Sequence, residues 1–305
     1  MTSTRRPFSI IAALPFAWLL FLAPVPAGAQ NGTRLALNAE SVLLLDADGK
    51  ILFAKHAESS HAPASLVKLM TLYLAHRDLE AGVVALEDPV TISPLAAQTP
   101  PHRMGLRAGE TVPFELLLKG VAIASANDAA TAVAEHLAGD ERRFVDRMNS
   151  EAQEMGLTAT RFANPHGLPD PNQRSTARDL AALTTRLIQD FPATRELLSA
   201  RGFVYRGKVL NRQTALLHDP WGVQALKTGF TREAGYNLAV AAWRGGQGFF
   251  AILLGARSRA RSFVDAMNLL QYGFTQAGVG IPLQEPRYSP RKSAIRTRVS
   301  LPPPS

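Results

Sequence analysis

Cysteine is absent from this chain of 305 residues, which excludes thiol catalysis, disulfides and thiolate metal sites. Histidine is thinly spread. His56, His61, His76, His102, His136, His166 and His218 show no HExxH or comparable ligand spacing, which argues against a zinc peptidase. No metal or other cofactor is expected. The surplus of positive charge is smaller than it looks. Of the formal +8, Arg5 and Arg6 contribute +2 and the tail beyond Gln276 contributes +4, leaving +2 for the rest of the chain. A core so nearly neutral carries no electrostatic footprint for nucleic acid. No internal repeat is present, and no glutamate occurs between Gly156 and Arg195.

The two ends read differently from the middle. Arg5 and Arg6 precede an apolar stretch from Phe8 to Val25 that Pro15 interrupts, and Ala27-Gly28-Ala29 offers small residues for cleavage before Gln30. That is the pattern of a secretory signal over residues 1–29, placing the mature protein in the periplasm or cell-wall space. A retained membrane anchor is the alternative, disfavoured by the proline and the cleavage site. Residues 279–305 are basic and proline-rich without sustained apolar periodicity, so a disordered tail is expected.

Between the ends, residues 34–278 suffice for one large domain. Ser41–Asp46 and Ile51–Ala54 are short apolar runs joined by a turn at Ala47-Asp48-Gly49-Lys50, the chemistry of a hairpin. Helical patterns follow from Ser65, over Pro113–Leu137 with a break at Ser125–Asn127, and over Phe144–Met155 and Thr176–Leu187. Phe203–Leu210 reads as a small hairpin, and strands return at Gln224–Thr228, Tyr236–Trp243 and Phe249–Leu254. A helix over Ser262–Phe274 closes the domain. Strands at both ends with helices between them predict an α/β (α+β) fold. Its antiparallel sheet, left and rejoined by the chain, is flanked by helices and accompanied by a helical subdomain.

Ser65-Leu66-Val67-Lys68 carries the chemistry. Serine and lysine three residues apart share a helix face, and Ser65 to Leu74 is apolar nearly all round, the mark of a buried helix. A buried lysine is costly unless paired or neutral, and a neutral lysine beside a hydroxyl activates it as a nucleophile. Pro63-Ala64 can start the helix, which places Ser65 in its first turn, where free N–H groups stabilise developing negative charge. Ser125-Ala126-Asn127 lies sixty residues on, and Lys227-Thr228-Gly229 about a hundred beyond that. The order SxxK, SxN, KTG is the motif set of penicillin-recognising serine enzymes.

From about Ala36 to Gly278 the chain resembles the serine D-alanyl-D-alanine carboxypeptidases, the low-molecular-mass penicillin-binding proteins. Asn164-Pro165-His166-Gly167-Leu168-Pro169-Asp170 and Lys227-Thr228-Gly229-Phe230-Thr231 extend the likeness. The resemblance implies a β-lactamase/transpeptidase-like fold, peptidoglycan stem peptides as substrate and β-lactams as covalent inhibitors. Many such relatives end in a β-rich domain and an amphipathic anchoring helix. Neither is seen here, so no stable membrane anchor is expected. By the same resemblance Ser65 is the nucleophile, Lys68 its base and Ser125 the proton relay to the leaving amine. Asn127 orients Lys68 and contacts the substrate backbone. Lys227 stays charged and, with Thr228, receives the terminal carboxylate. Its positive charge, with burial, lowers the pKa of Lys68. Gly229 keeps the strand edge clear, and the N–H groups of Ser65 and Phe230 form the oxyanion hole. The Asn164–Asp170 loop is assigned a structural role. The rival readings are a β-lactamase, against which the missing glutamate and Ser-Ala-Asn both count, an inactive wall-binding module, and a D,D-endopeptidase acting on cross-links.

Overall fold

The computed structural model describes residues 35–212 and 222–280, so the expected signal (1–29) and most of the expected tail (281–305) lie outside the described residues. In chain order the elements are β1 (Ser41–Asp46), β2 (Ile51–Lys55), α1 (Lys68–Glu80), β3 (Pro89–Thr91), α2 (Pro94–Gln98), β4 (Thr111–Pro113) and α3 (Phe114–Lys119). There follow α4 (Asn127–Ala138), α5 (Glu141–Glu154), α6 (Ala177–Asp190), α7 (Ala193–Ser199), β5 (Gly202–Tyr205) and β6 (Lys208–Asn211). The last are β7 (Val223–Thr231), β8 (Gly235–Arg244), β9 (Gln247–Ala256) and α8 (Arg259–Gln276).

Five strands form one antiparallel sheet in the order β2-β1-β9-β8-β7, so the first hairpin and the last three strands meet through β1 and β9. Strands β8 and β9 are apolar almost continuously rather than alternately, because both faces of the sheet are covered. One face receives α8, whose Phe263, Ala266, Leu270 and Phe274 are buried at helical spacing, with the Phe274 ring edge-on to Phe249 at 4.8 Å. The other face meets α6, α7 and the helical subdomain. There Leu43, Leu45, Ala239, Ala241, Phe250 and Ile252 share one core with the residues of α1 and α4.

Helix α1 is buried on nearly every side, as its sequence requires, and packs against α4, α5 and α6. Alanines 129, 130, 132 and 134 of α4 are all buried, and their small side chains let neighbouring helices approach. Polar residues cap three helices, and in α5 and α8 they set the start about a turn ahead of the apolar periodicity. Asp140 accepts from Arg143 N at 2.8 Å ahead of α5, Thr176 from Asp179 N at 3.1 Å ahead of α6, and Ser258 from Arg261 N at 3.2 Å ahead of α8. The helical pattern over Pro113–Leu137 does break near the expected Ser125–Asn127: α3 loosens into a π-helical turn at Gly120–Ala124, Ser125 takes a left-handed φ of 55°, and α4 already begins at Asn127. Edge strand β7 faces this turn and the residues that precede α1, and the site lies there.

Candidate active site

Ser65 does not sit in the first turn of the α-helix. It occupies a 3₁₀ turn over Ala64–Val67 that runs straight into α1, and Ala64 enters it with a φ of 49°. The tighter turn still sets Lys68 behind Ser65, with Nζ 3.3 Å from the serine Oγ. Lys68 is fully buried. Its other partners are Asn127 Oδ1 at 2.7 Å and the His166 carbonyl, both of which can only accept. A neutral Lys68 therefore spends its two N–H bonds on those acceptors, and its lone pair is left for the Ser65 hydroxyl. Burial pushes its pKa down to about 7, while the buried Asp128 carboxylate nearby pulls the other way. The sequence reading expected burial and Lys227 to share in that depression. Burial is the cause, as expected, while the charge that acts beside it is Asp128, in the opposite direction.

Lys227, on β7, is only 2 % exposed and donates to Ser125 Oγ at 2.7 Å and to the Thr228 carbonyl at 3.0 Å. Burial lowers its pKa well below the ordinary lysine range, and the positive charges of Lys68 and Arg212 lower it further. The left-handed backbone at Ser125 turns that hydroxyl toward Lys227. Asn127, two residues on, is committed within the protein. Its Nδ2 donates to the carbonyls of Pro100 and Pro101 at 3.0 Å each, and its backbone N–H to the His102 carbonyl at 2.7 Å. Both side-chain N–H bonds are thus spent on the loop ahead of the site.

Gly229 lies close to the nucleophile turn, a contact separate from the strand-edge role expected of it. A Cβ there would lie 3.0 Å from Ser65 N, 3.1 Å from the Pro63 carbonyl and 3.2 Å from the Ala64 Cβ. It would press on the nucleophile's own turn. The same closeness sets the Ser65 N–H beside the Gly229–Phe230 stretch of β7. Phe230 is 49 % exposed and stacks on Tyr236 of β8 with ring centroids 4.3 Å apart. Thr228 is half-buried on the same strand.

The Asn164–Asp170 loop reaches the reacting groups. Besides the His166 carbonyl at Lys68, its Pro165 carbonyl accepts from Thr71 Oγ1 at 2.7 Å, and Gly167 N donates to Asn164 Oδ1 at 2.7 Å. Gly167 holds a φ of 87°, and a Cβ there would fall 2.1 Å from the Ala64 carbonyl oxygen, so the loop is wedged against the Ser65 turn. Burial and the neighbouring Lys68 push the His166 imidazole down to about 3, leaving it neutral.

Three contributors were missed by the sequence reading. Asp128 is buried and accepts from the N–H groups of Met104, Gly105 and Leu106 at 2.9–3.0 Å, fixing the loop that Asn127 also holds. Its position directly after Ser-Ala-Asn was a signal that could have been used. Asn237 on β8 donates to the Ala62 carbonyl at 2.9 Å and accepts from Gly255 N at 2.9 Å, tying the sheet to the segment that leads into Ser65. Arg212 donates to the carbonyls of Ala122, Leu197, Ala200 and Leu226, joining the turn before Ser125 to the strand before Lys227. Nothing local in the sequence marks either of the last two.

A serine backed by a buried lysine, faced by a second lysine–serine pair across a sheet edge, defines an active-serine hydrolase of the penicillin-binding kind. The chain belongs to the D-alanyl-D-alanine carboxypeptidase family, which it matches over residues 28–258. It is 36 % identical over 267 residues to the D-alanyl-D-alanine carboxypeptidase DacC of Escherichia coli, an alignment spanning 85 % of this chain and 67 % of that protein. The D-alanyl-D-alanine endopeptidase of E. coli is more distant, 26 % identical over 295 residues, but spans 94 % of this chain and 93 % of its own. Among solved structures, penicillin binding protein 5 from Haemophilus influenzae superposes with a TM-score of 0.78 at 34 % identity, covering 80 % of this chain and 73 % of that one. Penicillin-Binding Protein D2 from Listeria monocytogenes, in its ampicillin-bound form, gives 0.70 at 28 % identity, covering 80 % and 100 %.

Proposed function

We propose that this serine D-Ala-D-Ala carboxypeptidase trims peptidoglycan stem peptides outside the cytoplasm through an acyl-enzyme on Ser65. The observation that carries the assignment of roles is the lone-pair argument at Lys68: two pure acceptors hold the amine so that only the Ser65 hydroxyl faces its basic side. Lys68 takes the hydroxyl proton as Ser65 Oγ attacks the carbonyl between the two D-alanines. The N–H groups of Ser65 and Phe230 hold the resulting oxyanion. Ser125, kept in place by Lys227, relays the proton that Lys68 took on to the nitrogen of the departing D-alanine as the C–N bond breaks, which returns Lys68 to its neutral form. Water then releases the shortened peptide from the ester.

Lys227 and Thr228 receive the terminal carboxylate. In the free site burial disfavours the Lys227 ammonium, and an arriving carboxylate supplies the counter-charge that restores it. Asn127 serves to orient Lys68, and Gly229 lets the nucleophile turn pack against β7. β-Lactams acylate the same serine, as the ampicillin-bound relative suggests. Cleavage of D-Ala–diaminopimelate cross-links is the second reading, favoured by the near full-length alignment with the endopeptidase.

A time course of intact mass with benzylpenicillin, run beside a D-alanine release assay, tests this. The expected result is a single covalent adduct that persists for minutes, absent in Ser65→Ala, together with D-alanine release from an acyl-D-Ala-D-Ala peptide. An adduct that turns over rapidly would identify a β-lactamase. No adduct and no release would leave a wall-binding module.

A further inference from the structure

Between attack and departure Lys68 must hold one more proton than it starts with, and the inference rests on the acyl-enzyme reading above. As Ser65 Oγ bonds to the carbonyl carbon, its O–H bond breaks and the proton makes Lys68 an ammonium. That charge persists until the C–N bond breaks and the proton leaves through Ser125 to the departing nitrogen. Lys68 is fully buried, and its two acceptors, Asn127 Oδ1 and the His166 carbonyl, carry no charge. Lys227 on β7 faces it with the same sign, and the His166 imidazole is neutral. A buried ammonium with no negative partner is costly.

Most buried carboxylates are engaged elsewhere. Asp78 of α1 and Glu151 of α5 are taken by Arg147 and Arg77. Asp179 of α6 accepts from Ala159 N and Thr160 Oγ1, and Asp265 of α8 from the N–H groups of Asn38 and Ala39. Asp128, beside Asn127 in the first turn of α4, is the exception. It is 0 % exposed, no cation forms an ion pair with it among the described residues, and its negative charge acts on Lys68. It is also pinned. Oδ1 accepts from Met104 N at 3.0 Å and Ala129 N at 2.9 Å, and Oδ2 from Gly105 N at 2.9 Å and Leu106 N at 3.0 Å. A carboxylate free to swing onto Lys68 would lock it as an ammonium and end its use as a base. One held by four N–H bonds acts on the amine without touching it.

We propose that Asp128 is a positioning residue of the acylation step: its fixed carboxylate is the counter-charge of the Lys68 ammonium that exists between attack and departure of D-alanine.

The pH dependence of acylation by benzylpenicillin, followed by intact mass, separates a counter-charge from a mere support for the loop. In Asp128→Asn the midpoint of the rate's rise should move below the parent's by about one pH unit, the size of a lost opposite charge. The plateau should fall by up to about tenfold, the rate equivalent of one unit. Asp128→Glu keeps the charge, so its midpoint should stay at the parent's even where the longer side chain displaces the loop and lowers the plateau. Met104→Ala loosens the same loop where Met104 packs on Gly120 and leaves the charge untouched, so its midpoint should also stay. Thermal melts establish that each variant is folded. An unmoved or raised midpoint in Asp128→Asn overturns the proposal. So does a midpoint that drops in the Glu or Met104 variant, and those two arms decide the matter even where Asp128→Asn fails to fold. A parent that forms no adduct on Ser65, or whose rate is flat with pH, would instead overturn the Lys68 reading beneath it.

Discussion

Lys68 shows how a single side chain can be made a base by its surroundings. The helix that carries it is buried on nearly every side, so the amine is held far from water, and burial brings its pKa to about 7. Only the neutral amine can accept the Ser65 proton, so the second-order rate of acylation by benzylpenicillin should rise with pH through about 7 and level off above it. A rate flat from pH 5.5 to 8.5 would remove Lys68 from that role. The same shift acts on stability with a worked sign. Between about 7 and 10.5 the unfolded chain holds a proton on Lys68 that the folded chain does not, so this group alone makes folding more favourable as pH rises across that window. The penalty for burying its charge is fully present below the window. Much of this was legible in the sequence, because a lysine in an apolar helix beside a serine has few explanations. Its two acceptors were not both legible. Asn127 was named, but the His166 carbonyl comes from a main chain ninety-eight residues away, and no residue type announces it.

Elements position these groups through backbone contacts, and the glycines mark where contact is closest. Gly167 combines a left-handed φ of 87° with a Cβ position 2.1 Å from the Ala64 carbonyl oxygen. Gly167→Ala should cost about 2–4 kcal/mol and reduce acylation at least tenfold, since loop and nucleophile turn cannot both keep their places. Thermal melts and adduct formation check both effects, and a variant as stable as the parent would show that the loop yields freely. Arg212 works at the same scale: one guanidinium holds four carbonyls from the turn before Ser125, the end of α7 and the strand before Lys227. Arg212→Met leaves those carbonyls without their donor, and a loss of about 2–3 kcal/mol is expected. It also removes one positive charge acting on Lys227. Chemical denaturation measures the loss; a change under about 0.5 kcal/mol would mean that water replaces the guanidinium without penalty. Helices α5, α6 and α8 were each legible by periodicity, but α5 and α8 not at their first turns, where a polar cap rather than an apolar stripe decides the start.

The whole molecule joins the two halves of the site across one boundary. Ser65 and Lys68 belong to the helical side and Lys227 to the sheet, and a single apolar core runs through both, from Leu43 and Ile252 to Leu72 and Val133. Unfolding of the described domain should therefore be cooperative: acylation competence, tertiary signal and helical signal should share one midpoint in urea. Acylation lost at clearly lower urea, with helix content intact, would show that the halves separate first. The expected persistence of the penicillin adduct also belongs to this scale. With no glutamate from Gly156 to Arg195, the loop beside Ser65 offers no carboxylate of the kind that activates a deacylating water.

The sequence by itself determined the sheet strands, the central buried helix, the three motifs and the class of reaction. Each of these is written in local pattern: a run of apolar residues, a turn, or a serine and lysine set one helical turn apart. Tertiary structure alone decided that Ser65 lies in a 3₁₀ turn, that Gly229 is needed by that turn, and that His166, Arg212 and Asn237 hold the motifs in register. Those are main-chain contacts between segments far apart in the chain. A carbonyl oxygen is the same in every residue, so its use as a partner is visible only once the fold has brought it to its place.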